Sequence, residues 1–323
     1  MLETKYLGLK LKNPIILSSS GLTSTVEKVK AAEKAGIGAV VLKSIFEEQI
    51  LSEVAAVDKY SDYPEASDYL RGYLTHNTLG VYLKLIQDCK QQCEIPIIAS
   101  INCSDRGEWV NFARIIENAG ADAIELNIFK LPTDKDVDSE KIEKEYLDIV
   151  GAVKDAISVP LSVKLSHNFT NPLSIIKELY YRNVQGVVLF NRFYAPDIDI
   201  KTLKVHSSNV YSSPSEISGV IRWSGLASAA VPLVDIAASS GVYTGDDAVK
   251  VMLAGAKAVQ ICSTVYKNGL EMVEPMLAFI ESWMKEQGFR ELSDFVGKLN
   301  YGNVNEAVAY ERTQFMRYFS NHN

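Results

Sequence analysis

The chain has 323 residues, 47% of them hydrophobic, and a formal net charge of −7. That length can bury the core of one large α/β domain or two small ones, and no basic stretch is clustered to hold nucleic acid. The start Met1-Leu2-Glu3-Thr4-Lys5 runs almost at once into Pro14-Ile15-Ile16-Leu17, and no apolar run is long enough to span a bilayer. Neither a signal peptide nor a membrane anchor is therefore expected. Four cysteines, Cys89, Cys93, Cys103 and Cys262, suit reduced thiols in a cytoplasmic protein. The four histidines are scattered, and no metal-ligand spacing is present.

In chain order, short apolar runs predict strands at 15–18, 39–43, 97–101, 123–127, 161–165, 186–190, 234–238 and 258–262. The runs are continuous rather than alternating, as in parallel strands buried on both faces. Helical patterns fall between most of them, at 26–35, 109–119, 140–156, 173–182 and 246–254. Gly36 and Gly120 stand where left-handed caps would end the first two. Ser213-Pro214-Ser215-Glu216 reads as a helix start with a capping box, leading a helix to about 229.

The phrases "GIGAVVLK", "GADAIELN" and "GAKAVQIC" repeat one unit of helix end, tight turn and buried strand. Eight strand candidates in such units predict a (β/α)8 TIM barrel. An open doubly wound sheet is the alternative, but no GxGxxG follows the first strand. Two long βα stretches, about 45–94 and 191–212, are expected over the barrel mouth, the first with its own helix at 79–90. The segment beyond Lys267 suggests closing helices, one at 276–287. With no linker, residues 1–323 read as one domain.

Candidate chemistry gathers at the C-terminal strand ends, where barrel enzymes keep their active sites. Lys43 and Lys164 each end an apolar run and suit a ligand that is, or becomes, anionic; snorkelling at a strand end is the plainer alternative. Asn127 and Asn191 end two more strands, and paired amides can grip an amide or imide ring. The last two strands end in Ser239-Ser240-Gly241 and Cys262-Ser263-Thr264, the usual phosphate turns of such barrels. Together these suggest a phosphorylated cofactor with a polar, electron-accepting ring.

The chain resembles the dihydroorotate dehydrogenase family of FMN-dependent barrels. The matching pieces are Asn13-Pro14-Ile15-Ile16-Leu17-Ser18-Ser19-Ser20-Gly21, Val40-Val41-Leu42-Lys43-Ser44, Glu125-Leu126-Asn127-Ile128, Val163-Lys164-Leu165-Ser166, and the tail from Ser240-Gly241 through Thr244-Gly245-Asp246 to Val259-Gln260-Ile261-Cys262-Ser263. The resemblance implies that Lys164 lies near flavin N1 and O2, where a cation raises the cofactor's electron affinity. It implies that Ser18 and Ser19 lie against the ring, and that Lys43 and Ser44 border it. Lys43 and Ser44 would also border the substrate, Asn127 and Asn191 would contact both flavin and substrate, and Ser240, Gly241, Cys262 and Ser263 would hold the phosphate.

One loop departs from the family. Where the family carries Ser-Cys-Pro-Asn or Ser-Ser-Pro-Asn, with the Cys or Ser taking a proton from substrate, this chain reads Ile128-Phe129-Lys130-Leu131-Pro132-Thr133. Lys130 and Thr133 are the candidate replacements; a solvated loop lysine is the alternative for the first. The family's substrate loop after the second strand has only an echo in Asn77-Thr78-Leu79-Gly80. The expected function is FMN-dependent oxidation of dihydroorotate in pyrimidine biosynthesis, with a soluble electron acceptor and a homodimeric state. The alternatives are a reductase or dehydrogenase of another cyclic amide such as a dihydropyrimidine, a non-catalytic FMN-binding homologue, and an aldolase-like barrel with a Schiff base at Lys164.

Overall fold

The structure is a computed structural model, and it describes residues 1–46, 64–102, 106–128, 130–192, 194–305 and 307–311. Residues 47–63 of the first long insertion, Cys103, and 312–323 with His322 lie outside the described residues.

A short antiparallel hairpin opens the chain, β1 (Thr4–Tyr6) and β2 (Leu9–Leu11). Then come β3 (Ile15–Leu17), α1 (Val26–Lys34), β4 (Ala39–Val41) and the two-residue β5 (Ile45–Phe46). Helix α2 (Pro64–Gln92) leads to β6 (Ile97–Asn102), and α3 (Arg106–Asn118) to β7 (Ala123–Leu126). Helix α4 (Ser139–Ala156) leads to β8 (Leu161–Leu165), and α5 (Pro172–Tyr181) to β9 (Gly186–Leu189). A second hairpin, β10 (Pro196–Asp199) and β11 (Lys204–Ser207), precedes α6 (Ile217–Ala230) and β12 (Asp235–Ser239). Helix α7 (Gly245–Leu253), β13 (Ala258–Ile261), α8 (Ser263–Asn268) and α9 (Val273–Gln287) follow.

Strand β3 pairs with β4, β4 with β6, and the ladder runs on through β7, β8, β9, β12 and β13 back to β3, every pairing parallel. The ring is a closed eight-stranded barrel with helices outside it. All eight expected strands are present, shifted at their ends by a residue or two. The expected caps hold as well: Gly36, Gly120 and Gly255 all take positive φ, of 100°, 98° and 122°. A left-handed residue there ends each helix and aims the chain into the next strand. At the Ser213 start, the Glu216 carboxylate accepts from the Ser213 N–H at 2.8 Å, and a 3-10 turn precedes α6. Helix α2 is far longer than the 79–90 expected, and the two hairpins were not expected at all.

The barrel interior divides along its axis. At the N-terminal end, Tyr6, Leu7 and Leu11 of the opening hairpin pack against Ile16, Val41, Ile98 and the small residues Ala39, Ala123 and Ala258. The hairpin is a plug, and small residues at the strand starts leave room for it. A Cβ at Gly186 would come within 2.4 Å of Leu7 Cδ2. Asp235 anchors the plug: its Oδ2 accepts from the Leu7 N–H at 2.7 Å, and its Oδ1 meets Lys257 Nζ at 2.6 Å. The other strand face packs outward on the helices, with Ile15, Leu17, Val163 and Val187 fully buried there. Helix α9 buries Val273, Met276, Ile280 and Met284 on one side, against α7. Among the described residues, no helix is long and apolar enough to cross a membrane.

The plug generates a stability prediction. Asp235→Ala leaves the buried Leu7 N–H without an acceptor and is expected to cost about 1–3 kcal/mol in urea unfolding. Lys257→Ala removes a partly exposed partner and is expected to cost under about 1 kcal/mol. Equal effects would contradict the anchoring role of the carboxylate.

Candidate active site

At the C-terminal end of the barrel the interior turns polar. Ser18, Ser100, Glu125, Lys164 and Gln260 are all buried, each in or just beyond an apolar strand. Lys164 Nζ donates to Ser18 Oγ and to Gln260 Oε1, both at 3.0 Å. Ser18 Oγ also lies 3.1 Å from Gln260 Oε1. Gln260 Nε2 donates to Glu125 Oε2 at 2.6 Å, and Glu125 Oε1 stands 4.0 Å from Lys164 Nζ. A buried ammonium is tolerated only with such partners. Burial holds the Glu125 carboxyl above its usual range, and Lys164 and Gln260 oppose that shift. Beside this network runs a second one: Ser44 Oγ bridges Ser19 Oγ at 3.0 Å and Ser100 Oγ at 2.8 Å.

Above Lys164 lies a cavity. Its lining includes Ser18, Ser19, Lys164, Asn191, Ser240, Gly241, Cys262 and Ser263. The sequence pattern thus brings eight of its candidates to one place. Gln260, Arg192, Ser212 and Ser239 line it too, and no acidic side chain does among the described residues. Arg192 is held at the mouth by Glu216 Oε1, 3.3 Å from its Nε, and by the Val210 carbonyl, 2.9 Å from its NH1. Ser263 Oγ accepts from the Ser212 N–H at 3.0 Å, which ties the returning limb of the second hairpin across the cavity. The turn after β12 is tight: Ser240 and Gly241 both take positive φ, 79° and 77°. A Cβ at Gly241 would fall 2.3 Å from the Ile217 backbone nitrogen, so only glycine fits. Burial pushes the Cys262 thiol up, against opposing effects of Ser20 and Lys164.

The remaining candidates fall elsewhere. Lys43 is exposed and does not share the cavity with Lys164. The Leu42 N–H bonds the Ile98 carbonyl, the Lys43 N–H turns instead to Thr23 O, and pairing with β6 resumes at β5, so Lys43 sits in a break of the ladder. The expected pair of lysines facing one cavity is therefore corrected to Lys164 alone, joined by Arg192. Ser44 and Asn127 do not line the cavity but support it. Ser44 holds Ser19, and Asn127 Oδ1 accepts from Asn191 Nδ2 at 2.6 Å. Lys130 is exposed and ion-paired with Glu145 of α4, and Thr133 is exposed. Neither lines the main cavity in this structure; Lys130 borders a separate, smaller one beside Tyr146 and Phe169.

Comparison with known proteins places the chain. The sequence model of the family described as dihydroorotate dehydrogenase matches residues 1–284. The chain belongs to the dihydroorotate dehydrogenase family. It is 29% identical to a protein of Methanocaldococcus jannaschii named dihydroorotate dehydrogenase B (NAD(+)), catalytic subunit, over 92% of this chain and 97% of the relative. It is 30% identical to the protein of the same name from Pyrococcus abyssi, over 92% of this chain and 98% of that one. The protein of that name from Pyrococcus horikoshii is also 30% identical, with 92% and 97% covered.

The turn at Ser240 is testable without any ligand. An L-residue in the left-handed region costs about 1–2 kcal/mol, most for a β-branched one. Ser240→Gly should leave thermal stability equal or higher, and Ser240→Val should lower it by at least about 1 kcal/mol. A valine variant as stable as the serine protein would contradict the backbone geometry.

Proposed function

We propose that the chain is an FMN-dependent oxidoreductase that converts dihydroorotate to orotate in pyrimidine biosynthesis. One observation carries this reading: a buried Lys164, held by two hydrogen bonds, faces a cavity lined by a second cation, six serines and two amides, with no carboxylate among the described lining residues. That donor set fits a ligand that is polar at its ring and anionic at its tail. Family membership supports the same chemistry. Lys164 would hold the pyrimidine edge of the ring. Ser240, Gly241, Cys262 and Ser263, with Arg192, would hold the phosphate. Bound FMN supplies the hydride acceptor.

The chain's own residues do the rest. Gln260 and Ser18 fix Lys164, so the cation is in place before any ligand arrives. Asn191, oriented by Asn127, offers its amide to the substrate, and Ser19, held by Ser44, offers its hydroxyl to the ring. Among the described residues, the loop at 128–133 contributes no side chain to the main cavity, so Lys130 and Thr133 enter the reading only as substrate-loop residues. We read the protein as cytoplasmic, in line with the free thiols of the described Cys89, Cys93 and Cys262, and its electron acceptor as soluble.

A homodimer is also part of the proposal. The second hairpin exposes Ile198, Ile200, Leu203 and Val205 at 63–84% of their surface. Four large apolar side chains on one projecting element mark a contact surface. Leu203→Asp with Val205→Asp should halve the molar mass measured by light scattering; a wild-type monomer would contradict this part of the reading.

The activity test is spectroscopic. The purified protein should be yellow and should bleach on adding dihydroorotate without oxygen. A charge-assisted hydrogen bond contributes about 1.5–3 kcal/mol, so Lys164→Ala should weaken FMN binding by about ten- to a hundredfold. Lys130→Ala removes only an exposed ion pair and should change turnover by less than about fivefold. Protein that binds no FMN, or binds it and ignores dihydroorotate, would overturn the assignment.

A further inference from the structure

Glu125 is a buried carboxyl of the site that lines no part of the cavity. It is fully buried in β7, with Tyr6 of the plug below and Tyr82 of α2 beside it. Its Oε2 accepts from Gln260 Nε2, while its Oε1 is buried without a hydrogen-bond partner. The amide of Gln260 cannot turn over. Its Oε1 already accepts from Lys164, so its Nε2 must face the carboxylate. Lys164 therefore stands between the cavity and a carboxylate held behind it.

We infer that Glu125 is the proton-accepting counter-charge of Lys164, ionised while the bound flavin is oxidised and protonated when the flavin is reduced. The inference rests on the FMN reading above and deepens it. The charge count is simple. With a neutral oxidised ring, the ammonium and carboxylate cancel inside the barrel. Reduction of a bound ring by hydride would bring two electrons and one proton, and so one net negative charge, to the cavity beside Lys164. Glu125 would be left as a buried charge without compensation, a costly state. One further proton, taken up from solvent onto Glu125, would restore neutrality. The proton that dihydroorotate loses alongside the hydride returns to solvent, so the turnover balances.

The other titratable groups around Glu125 do not compete for this role. Tyr6 and Tyr82 are buried, and burial and the nearby carboxylate both push their hydroxyls up, so they stay neutral. Tyr82 OH is also engaged at both ends, by the Ser100 N–H at 2.9 Å and the Ser100 carbonyl at 3.1 Å. Burial already holds the Glu125 carboxyl on the high side, which brings proton uptake within reach. Glu125 is thus a positioning residue acting through Lys164 and Gln260.

The experiment compares the FMN-loaded wild type with Glu125→Gln, which keeps an acceptor for Gln260 and removes the charge. Midpoint potential is measured against pH, together with the reduced-minus-oxidised infrared spectrum. In the wild type, reduction should take up two protons per two electrons and raise a carbonyl band of a protonated carboxyl group. In the variant, the band should be absent, the slope of potential against pH should fall to half, and the potential at neutral pH should rise. A wild type with one proton per two electrons and no such band overturns the inference, whether or not the variant binds FMN. If the variant loses FMN, the wild-type slope and band decide alone. A wild type that binds no FMN fails earlier and removes the functional reading itself.

Discussion

A buried ammonium at the open end of the barrel is the constraint around which the site is arranged. Lys164 is withdrawn from water, and its charge is tolerable only because Ser18, Gln260 and Glu125 surround it from three other strands or strand ends. Those partners fix its position and leave one of its three hydrogens for a ligand. The arrangement is preorganised: no side chain has to be gathered when the ring arrives. The same desolvation that makes the lysine costly makes its charge strong, because little water screens it.

The rest of the fold serves this division of the interior. Small residues at the strand starts admit the Tyr6–Leu11 plug, which closes the lower end with apolar packing. The polar layer is then confined to the upper end, where the loops after β12 and β13 and the returning limb of the second hairpin make the cavity wall. Ser240 shows what the wall demands. Its backbone takes a conformation suited to glycine, and Gly241 beside it approaches Ile217 too closely for any side chain.

Much of this was legible in the sequence. Continuous apolar runs and the thrice-repeated helix-end unit reported the barrel, because parallel strands buried on both faces leave that trace. Ser240-Gly241 and Cys262-Ser263 reported the turns. What stayed hidden depends on direction rather than residue type. Lys43 ends an apolar run as Lys164 does, yet it sits in a break between two stretches paired to β6, and it is exposed. Arg192 was invisible because its place at the mouth is set by Glu216 and Val210, distant in sequence. Glu125 and Gln260 did leave a signal: each is a lone polar residue inside an apolar strand, and such a residue is buried only with a partner. The plug was missed because two three-residue strands carry too little periodicity to read.

In the reading proposed above, recognition of the ring rests on strand residues locked in the barrel, while Lys130, in the stretch that lacks the expected motif, lies outside that lock, paired to Glu145. A crystal structure of the protein with FMN bound tests the central claim most directly. The account predicts the N1–O2 edge of the ring within about 3 Å of Lys164 Nζ, with Ser18 and Gln260 still bonded to that lysine. A ring bound elsewhere, or one that leaves Lys164 without contact, would contradict it.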